Sequence, residues 1–180
     1  MRPRAPENYV PLIRAADIDD RVAQLGRDIT RDFADRPLTA LVVLKGSFIF
    51  AADLIRHIAL PLHVEFIGLR SYGDRTSTSG VVEITMDLKH PVEGQHILII
   101  EDIVDSGLTI DYLRKNLETR SPSSVSLAAL LHKPTAARVP VTIDYRGFEI
   151  ADRFVVGYGL DHAGLYRNLP DIGYLDPPPA

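Results

Sequence analysis

The sequence predicts an α/β domain in which a mostly parallel central sheet is flanked by helices. Short apolar runs bounded by turn residues alternate with segments of helical periodicity, a pattern typical of parallel strands connected by helices. The chain has 180 residues, which suits one domain with a sizeable core. Because neither a repeat nor a linker interrupts it, we expect a single domain over residues 1–180, with flexible tails at about residues 1–8 and 176–180.

Three segments have the periodicity of amphipathic helices. The first contains apolar residues at helical spacing, separated by charged residues: Ile18, Val22, Leu25, Ile29 and Phe33. Asp17 is a candidate N-cap for this helix, and Pro37 ends it. Residues 48–58 and 108–117 show similar spacing and predict the second and third helices.

Short apolar runs between turn residues predict the strands. Residues 40–44 and 96–100 are almost entirely apolar, as expected for strands buried on both faces of a parallel sheet. Further strands are predicted at residues 63–69, 81–86, 125–131, 142–145 and 154–156. Residues 70–80 are polar, rich in Ser, Thr and Gly, and without periodicity. They predict a long flexible loop of the kind that often covers an active site.

The composition excludes several classes of site. There is no cysteine, so disulfides, thiolate metal sites and cysteine nucleophiles are excluded. The formal net charge of -4 argues against a binder of duplex nucleic acid, but not against a small phosphorylated ligand. The N-terminal residues lack the apolar stretch of a signal peptide, and no apolar run approaches the length of a membrane span. We therefore expect a cytoplasmic protein with neither nucleic acid nor membrane as a partner.

The most informative segment covers residues 99–109. Glu101 and Asp102 are expected at the carboxyl end of a buried strand, the edge at which open α/β sheets bind ligands. Small residues then lead into a helix, where backbone N–H groups and the helix N-terminus favour phosphate. Two acids beside phosphate are reasonable if they face sugar hydroxyls or a divalent cation shared with the ligand. The pattern predicts a sugar-phosphate site, although each acid alone is more often a solvated residue or, for Asp105, a helix cap.

The complete pattern, strand–acid–acid–x–x–acid–Ser–Gly–x–Thr–helix, resembles the phosphoribosyl pyrophosphate signature of type I phosphoribosyltransferases. It is not a P-loop, because the Gly-Lys-Ser/Thr arrangement is absent. The resemblance implies the fold of that family, with a small hood and a mobile loop beside the parallel sheet. It also implies that phosphoribosyl pyrophosphate is bound by Glu101, Asp102, Asp105, Ser106, Gly107, Leu108 and Thr109.

Two further segments are similar to the hypoxanthine-guanine branch of this family. Leu44-Lys45-Gly46-Ser47 resembles its pyrophosphate loop, which implies a non-proline cis peptide near Lys45 and pyrophosphate binding by Lys45 and Gly46. Ser71-Tyr72-Gly73 resembles its catalytic loop, in which Ser71 and Tyr72 cover the reacting centre and exclude water. Taken alone, the first is an ordinary strand-to-helix turn and the second a disordered connection.

The resemblance to the hypoxanthine-guanine branch also predicts the purine pocket. Lys133, in Leu131-His132-Lys133-Pro134, would donate to the oxygen at purine C6; since a lysine is purely a donor, it favours a 6-oxo base over adenine. Phe154 would stack on the base and the Val155 backbone would read its edge. Asp161 belongs to the same pocket and helps hold magnesium, and Arg167, six residues further on, contacts pyrophosphate. Taken one at a time, each has an ordinary interpretation: a solvated lysine for Lys133, a core aromatic for Phe154, a cap or turn residue for Asp161 and a surface charge for Arg167.

The resemblance covers residues 8–175 and implies an enzyme of purine salvage. The reaction is transfer of the 5-phosphoribosyl group from phosphoribosyl pyrophosphate to N9 of hypoxanthine, guanine or both, giving IMP or GMP and pyrophosphate with Mg²⁺. Glu101, Asp102 and Asp161 are the expected magnesium ligands, and Asp105 is the candidate acid/base group at purine N7. A homodimer or homotetramer is expected.

Three other functions stay open at this point. The first is transfer to another base, such as xanthine or a pyrimidine. The second is a regulatory RNA-binding relative of the same fold, which the negative net charge disfavours. The third is a ribose-phosphate pyrophosphokinase, whose greater length and ATP site have no counterpart in this sequence.

Overall fold

The computed structural model describes residues 3–74 and 77–177, of which residues 71–74 and 77–81 are described through their backbone only. The elements are β1 (Tyr9–Ile13), α1 (Ala15–Asp32), β2 (Leu38–Leu44), α2 (Phe48–Arg56), β3 (Leu62–Asp74), β4 (Ser77–Met86), β5 (His96–Val104), α3 (Leu108–Glu118), β6 (Ser124–His132), a 3₁₀ turn (Pro134–Ala136), β7 (Tyr145–Glu149), β8 (Val155–Val156) and β9 (Ile172–Leu175).

Six strands form the central sheet, in the order β4-β3-β2-β5-β6-β7. Every neighbouring pair from β3 to β7 is parallel, and only β4 is antiparallel to its neighbour, so the predicted mostly parallel sheet is confirmed. The carboxyl ends of parallel strands lie at the same edge of a sheet. The segments that follow β2, β5 and β6 therefore approach one another there.

Strand β5 is the centre of the core because it is buried on both faces. Ile97 and Ile99 pack with the side chains of α3, whereas Leu98 and Ile100 pack with those of α1 and α2, and all four are fully buried. The alternation follows from the two-residue period of a strand. It confirms the expectation for residues 96–100 and gives the segment that follows them a rigid support.

A second sheet joins the two ends of the chain. It has three antiparallel strands in the order β1-β9-β8, with Tyr9 paired to Leu175 and Val155 paired to Tyr174. This sheet corresponds to the predicted small hood. Strands β1 and β9 were not predicted, because they are short and their partners lie more than 150 residues apart in sequence. The Asp176 N–H donates to the Asn8 carbonyl at 2.9 Å, so a hydrogen bond connects the predicted tails.

The predicted start of α1 and the predicted end of β5 are wrong. The N-cap of α1 is Arg14, and Asp17 lies in the first turn, where its carboxylate pairs with Arg14 at 2.8 Å. Strand β5 continues to Val104 because it pairs with β6 as far as His132. Glu101 and Asp102 therefore lie within the strand, beyond the last pairing of β5 with β2 at Ile100.

The interpretation of residues 70–80 as an irregular loop is also wrong where the backbone is described. Strands β3 and β4 run through this segment as a hairpin, with Tyr72 paired to Val81 and Asp74 to Ser77. The ladder of backbone hydrogen bonds continues here without an alternating side-chain pattern to indicate it. The predicted catalytic residues Ser71 and Tyr72 lie on β3, and their side chains fall outside the described residues.

The strand predicted at residues 142–145 is displaced. Strand β7 begins at Tyr145, where its pairing with Ala128 of β6 starts. Just before it, the Asp144 carboxylate accepts a hydrogen bond from the Leu127 N–H at 2.8 Å. The sequence therefore predicts a strand close to this position, but it does not reveal the side-chain contact that fixes where the strand begins.

None of the helices in the described ranges is long and apolar enough to cross a membrane. The cytoplasmic location stays a prediction.

Candidate active site

Three segments meet at the carboxyl edge of the sheet: the turn from β2 to α2, the end of β5, and residues 157–167. A Cβ atom added to Gly46 would lie 1.6 Å from Asp102 Oδ2, so only glycine fits in that turn. A Cβ added to Gly159 would lie 2.1 Å from the Gly46 carbonyl oxygen, and Gly159 has a φ of 102°. The three segments are therefore in direct contact, two of them through backbone atoms.

The turn from β2 to α2 contains the expected non-proline cis peptide, between Leu44 and Lys45. Ser47 is fully buried, and its hydroxyl donates to the Val43 carbonyl. In the described part of the chain, neither the Gly46 nor the Ser47 amide donates to a backbone carbonyl. The turn therefore resembles a cradle of backbone donors suited to an anion.

The second cradle lies between β5 and α3, where the phosphate loop was predicted. Gly107 is the N-cap of α3 in a left-handed conformation, which excludes the alternative that Asp105 caps this helix. The Ser106 carbonyl accepts from the Arg138 and Val139 N–H groups at 2.9 and 3.1 Å, which holds the loop in place. The Leu108 N–H donates to Ser106 Oγ at 3.4 Å. The first amides of a helix have no partners within it, so those of Thr109 and Ile110 are available to a ligand.

The two adjacent acids lie between these cradles, Glu101 buried and Asp102 half-buried. Glu101 is 9% exposed, and its Oε2 atom has no hydrogen-bond partner among the described residues. Burial raises the pKa of the Glu101 carboxyl well above its usual range, and the charge of Asp102 adds to this. Burial also raises the pKa of Asp102 to about 6, although the Ile103 N–H and Arg167 oppose the shift. The pair needs a donor or a cation that the described residues do not provide.

Residues 157–167 bring an arginine and a third acid to the same edge. Arg167 Nη2 pairs with Asp161 Oδ1 at 2.6 Å, and Arg167 Nη1 donates to the Gly159 carbonyl at 2.6 Å. The Gly164 N–H donates to Asp161 Oδ2 at 2.8 Å. Arg167 lowers and Asp161 raises the pKa of Asp102, so both side chains act on the buried pair.

Lys133 forms the opposite side of the site. It is only 7% exposed, and its Nζ lies 3.3 Å from Asp105 Oδ2 and 3.2 Å from Asp152 Oδ1. Its backbone N–H donates to the Val104 carbonyl at 2.9 Å, which fixes it against the end of β5. Lys133 is therefore a buried and paired lysine and not a solvated one. Sequence reasoning missed Asp152, since a single acid two residues before Phe154 has no distinguishing pattern.

Phe154 supplies an accessible aromatic surface beside Asp152. Its side chain is 43% exposed, and the His162 ring meets it edge-on at a centroid distance of 5.6 Å. The next residue, Val155, is buried and held in β8 by pairing with Tyr174. His162 was also missed, because nothing in the sequence places it against Phe154. The arrangement leaves the Phe154 ring able to stack on a planar ligand.

The predicted residues thus gather at one sheet edge, apart from Ser71 and Tyr72, which lie outside the described side chains. Among the residues that the structure describes, no three His, Asp or Glu side chains are grouped so that they could hold a metal ion by themselves. The predicted ligands Glu101, Asp102 and Asp161 therefore provide an incomplete set, which oxygen atoms of a ligand or water would have to complete.

Comparisons with known proteins agree with this geometry. Residues 14–163 match the model of the phosphoribosyl transferase domain. A hypoxanthine-guanine phosphoribosyltransferase of Dictyostelium discoideum is 49% identical over 163 residues, covering 88% of this chain and 91% of the relative. A crystal structure of a hypoxanthine phosphoribosyltransferase from Staphylococcus aureus superimposes with a TM-score of 0.90 at 39% identity, covering 93% of this chain and 91% of the other.

A structure of the Trypanosoma cruzi hypoxanthine phosphoribosyl transferase, described in terms of how its C-terminal region affects oligomeric state and activity, has a TM-score of 0.89. It is 40% identical and covers 97% of this chain and 95% of the other. The fold and the site define a phosphoribosyltransferase. At these identities and coverages, the chain belongs to the hypoxanthine-guanine phosphoribosyltransferase family.

The raised pKa of Asp102 predicts a stability that falls as pH rises. Between the ordinary value of 3.8 and the folded pKa of about 6, the unfolded chain releases a proton that the folded chain keeps. Asp102→Asn removes this ionisation, so its free energy of unfolding should exceed that of the wild type by up to about 3 kcal/mol at pH 8, and the difference should disappear below pH 4. Urea unfolding followed by circular dichroism, without added metal or ligand, measures this.

The exposed Asp20 on α1 provides the control for this experiment, since Asp20→Asn should change stability by the same small amount at every pH. A difference between Asp102→Asn and the wild type that does not vary from pH 4 to pH 8 would contradict the raised pKa.

Proposed function

We propose that this protein transfers the 5-phosphoribosyl group of phosphoribosyl pyrophosphate to N9 of hypoxanthine, guanine or both, and releases pyrophosphate. The observation that carries the proposal is the position of the buried Glu101–Asp102 pair between two cradles of backbone amides, with Lys133 and Asp105 beside it. Phosphoribosyl pyrophosphate is a sugar with a phosphate at one end and a diphosphate at the other. Its two phosphate ends would fit the two cradles, and its hydroxyls would fit the acids between them. Membership of the family supports the same reaction.

The phosphoribosyl end would bind at the start of α3. The amides and hydroxyls of residues 106–109 are suited to the 5-phosphate, because unpaired amides at a helix N-terminus attract an anion. Glu101 and Asp102 would accept hydrogen bonds from the ribose hydroxyls. Such bonds would satisfy the buried Glu101 Oε2 atom, which otherwise has no partner in the described part of the chain.

The pyrophosphate would bind at the turn from β2 to α2. The Gly46 and Ser47 amides can donate to it, together with the Lys45 backbone and the Arg167 guanidinium. Arg167 is already held by Asp161 and by the Gly159 carbonyl, so it needs little reorganisation to meet the leaving group. A guanidinium held in position stabilises the charge that develops on the departing oxygen.

The donors near Asp102 fit a magnesium ion, because Glu101, Asp102 and Asp161 offer only the oxygen ligands that Mg²⁺ prefers. An ion would also compensate two carboxylates that burial disfavours as charges. We propose that these three residues hold it together with oxygen atoms of the substrate and water. When bound, the ion supplies positive charge that neutralises the pyrophosphate.

The purine would lie between Phe154 and Lys133. Phe154 would stack on the base, the Val155 backbone would read its edge, and the Lys133 ammonium would donate to the C6 oxygen. Because Lys133 is buried and already paired with Asp105 and Asp152, its ammonium is fixed in direction. A fixed donor selects strongly against a base that presents an amino group at that position.

In the reaction, purine N9 attacks the anomeric carbon and the bond to the pyrophosphate oxygen breaks, with the electron pair leaving on pyrophosphate. Asp105 would take the proton from purine N7, and its position beside the Lys133 ammonium supports the proposal that both groups act on one edge of the base. No protein nucleophile is needed, since the work consists of orienting two substrates and excluding water. Ser71 and Tyr72 would contribute to that exclusion.

We also propose that the protein is a homo-oligomer that pairs through the open face of β3. Val64 and Phe66 lie on the sheet face that α1 and α2 cover over β2, but they are 37% and 45% exposed. Met86, the cross-strand partner of Gly68, extends this apolar area and is 39% exposed. The T. cruzi relative is described in terms of its oligomeric state, which supports the proposal. An apolar area of this kind is typical of an interface.

A panel of bases tests the function directly. The wild-type enzyme is incubated with phosphoribosyl pyrophosphate, Mg²⁺ and either hypoxanthine, guanine, xanthine, adenine or uracil, and nucleotide and pyrophosphate are measured. We expect turnover with hypoxanthine or guanine. Turnover with uracil alone, or with no base in the panel, would contradict the proposal.

In the same assay, Lys133→Met keeps the aliphatic length but removes the ammonium. The kcat/KM for hypoxanthine should fall about 10- to 100-fold, as expected for the loss of a charged hydrogen bond. Lys115→Met on α3 is the control, because that lysine is exposed and, among the residues that the structure describes, pairs only with Asp111. An equal loss for all bases, or no loss, would refute the assignment of Lys133 to the C6 oxygen.

Asp105→Asn removes the proposed proton acceptor with little change in shape. The kcat with hypoxanthine should fall about 10²- to 10⁴-fold, the usual contribution of a general base, while KM changes much less. The exposed Asp35, which lies at a positive φ that asparagine also adopts, supplies the matched control Asp35→Asn. Turnover by Asp105→Asn near the wild-type rate would show that another group takes the proton.

Phe66→Glu places a charge in the middle of the proposed interface and should convert the oligomer to a monomer at micromolar concentration. Sedimentation velocity measures the change. Leu12→Glu, on an exposed position of β1, should leave the oligomer intact. A monomeric wild type, or an unchanged sedimentation coefficient for Phe66→Glu, would exclude this face as the interface.

A further inference from the structure

Tyr158 makes a buried contact that the proposed reaction does not use. Its side chain is 5% exposed, and its hydroxyl donates to Asp53 Oδ2 at 2.6 Å. Its backbone has a φ of 50°, in the left-handed region that a tyrosine seldom adopts. Burial, together with the hydrogen bond to Asp53, raises the pKa of the Tyr158 hydroxyl far above its usual range, so the group remains a donor at any physiological pH.

The backbone beside Tyr158 supports the arginine of the site. The Tyr158 N–H donates to the Leu169 carbonyl at 2.8 Å, and the Gly159 N–H donates to the Arg167 carbonyl at 2.9 Å. In return, the Arg167 side chain donates to the Gly159 carbonyl. The positions of Tyr158, Gly159 and Arg167 are therefore linked by hydrogen bonds.

The partner of Tyr158 belongs to the opposite side of the pyrophosphate site. Asp53 lies on α2, the helix that begins at Phe48 directly after the Lys45-Gly46-Ser47 turn. The backbone of Gly159 already touches the Gly46 carbonyl, so the two walls meet at one point. The Tyr158–Asp53 hydrogen bond is a second connection between the same two segments, and two connections fix an orientation that one contact leaves free.

We propose that Tyr158 is a positioning residue for pyrophosphate, acting through Arg167 on one side and the Gly46 turn on the other. This inference rests on the proposed function for its substrate but adds a residue that touches neither substrate. The hydrogen bond to Asp53 holds the spacing between the two sets of pyrophosphate donors. Loss of the bond loosens that spacing, and the binding of phosphoribosyl pyrophosphate and of free pyrophosphate weakens.

The purine side of the site has its own support and is unaffected. Val155 is paired with Tyr174 in the hood, and the Arg153 guanidinium lies over the Tyr174 ring at 4.4 Å from the centroid. These contacts flank Phe154 on both sides without involving Tyr158. A positioning role therefore predicts a change in the KM of one substrate and not of the other, which a general loss of stability would not produce.

Removing the Tyr158 hydroxyl and removing the Asp53 carboxylate differ in their cost in stability. It also pairs with Arg56 on the same helix, so removal of the tyrosine hydroxyl leaves the carboxylate with a partner. Removal of the carboxylate leaves the Tyr158 hydroxyl buried without one, which is the more costly change. Asp53→Asn retains an oxygen acceptor for the hydroxyl and should preserve the function of the contact.

The test is Tyr158→Phe, which removes one oxygen atom. The KM for phosphoribosyl pyrophosphate and the Kd for magnesium pyrophosphate, measured by calorimetry, should each rise about tenfold, as expected for the loss of a hydrogen bond to a charged group. The kcat and the KM for hypoxanthine should stay within about twofold, and Asp53→Asn should behave like the wild type.

Tyr145→Phe is the matched control, since Tyr145 donates to Asp32 at 3.1 Å on the far edge of the sheet. This substitution should change neither the KM for phosphoribosyl pyrophosphate nor the Kd for magnesium pyrophosphate.

The proposal is overturned if folded Tyr158→Phe binds both ligands as the wild type does, or if the KM of both substrates rises in parallel with a lower Tm. If Tyr158→Phe does not fold, Asp53→Ala removes the same bond from the less buried end, where the Asp53 side chain is 28% exposed, and undergoes the same measurements. Absence of turnover by the wild type with any purine would refute the proposed function instead. The pyrophosphate Kd would still decide the role of Tyr158, because it requires no purine.

Discussion

The site depends on two adjacent carboxylates near the carboxyl end of a strand that is itself buried on both faces. The packing of Ile97 to Ile100 against α1, α2 and α3 supports β5, and this support holds Glu101 buried and Asp102 half-buried. Burying these carboxylates costs free energy. In the proposed function, a ligand that supplies hydroxyl donors or a cation would offset this cost by pairing with the charged carboxylates and with the unpaired Glu101 oxygen. The remaining segments of the site are arranged around this pair.

Close backbone packing controls the distances between the segments. Gly46 touches Asp102, and Gly159 touches the Gly46 carbonyl, so a single added methyl group at either position would push the turns apart. Backbone contacts of this kind fix the distance between two segments more accurately than contacts between flexible side chains do. They explain why a phosphate cradle, an arginine and an acidic pair contributed by three distant parts of the chain form one site, and why side-chain bonds such as Tyr158–Asp53 refine the orientation.

Charge pairing prepares the two ends of the site for different tasks. Arg167 is held by Asp161 at the end of the site where we propose that pyrophosphate binds, and Lys133 is held between Asp105 and Asp152 at the end proposed for the purine. Each cation is therefore fixed in direction before a ligand arrives, which reduces the cost of reorganisation on binding. The Lys133 ammonium has three donors and two carboxylate partners, so in the proposed site one donor would remain for the base.

The sequence by itself determined the α/β class, the buried β5 and the helices, because local periodicity encodes these features. The cis peptide at Lys45 was expected only from the resemblance of Leu44-Lys45-Gly46-Ser47 to the pyrophosphate loop of the family. Only the tertiary structure decided the features that depend on partners far apart in the chain. These are the hood built from both ends of the chain, the pairing of residues 70–74 with residues 77–83 in place of a loop, the extension of β5 through Glu101, and the contacts of Asp152, His162 and Tyr158. Strand pairing and long-range side-chain contacts leave no periodic signal in either segment, so they become visible only when both are brought together in the folded chain.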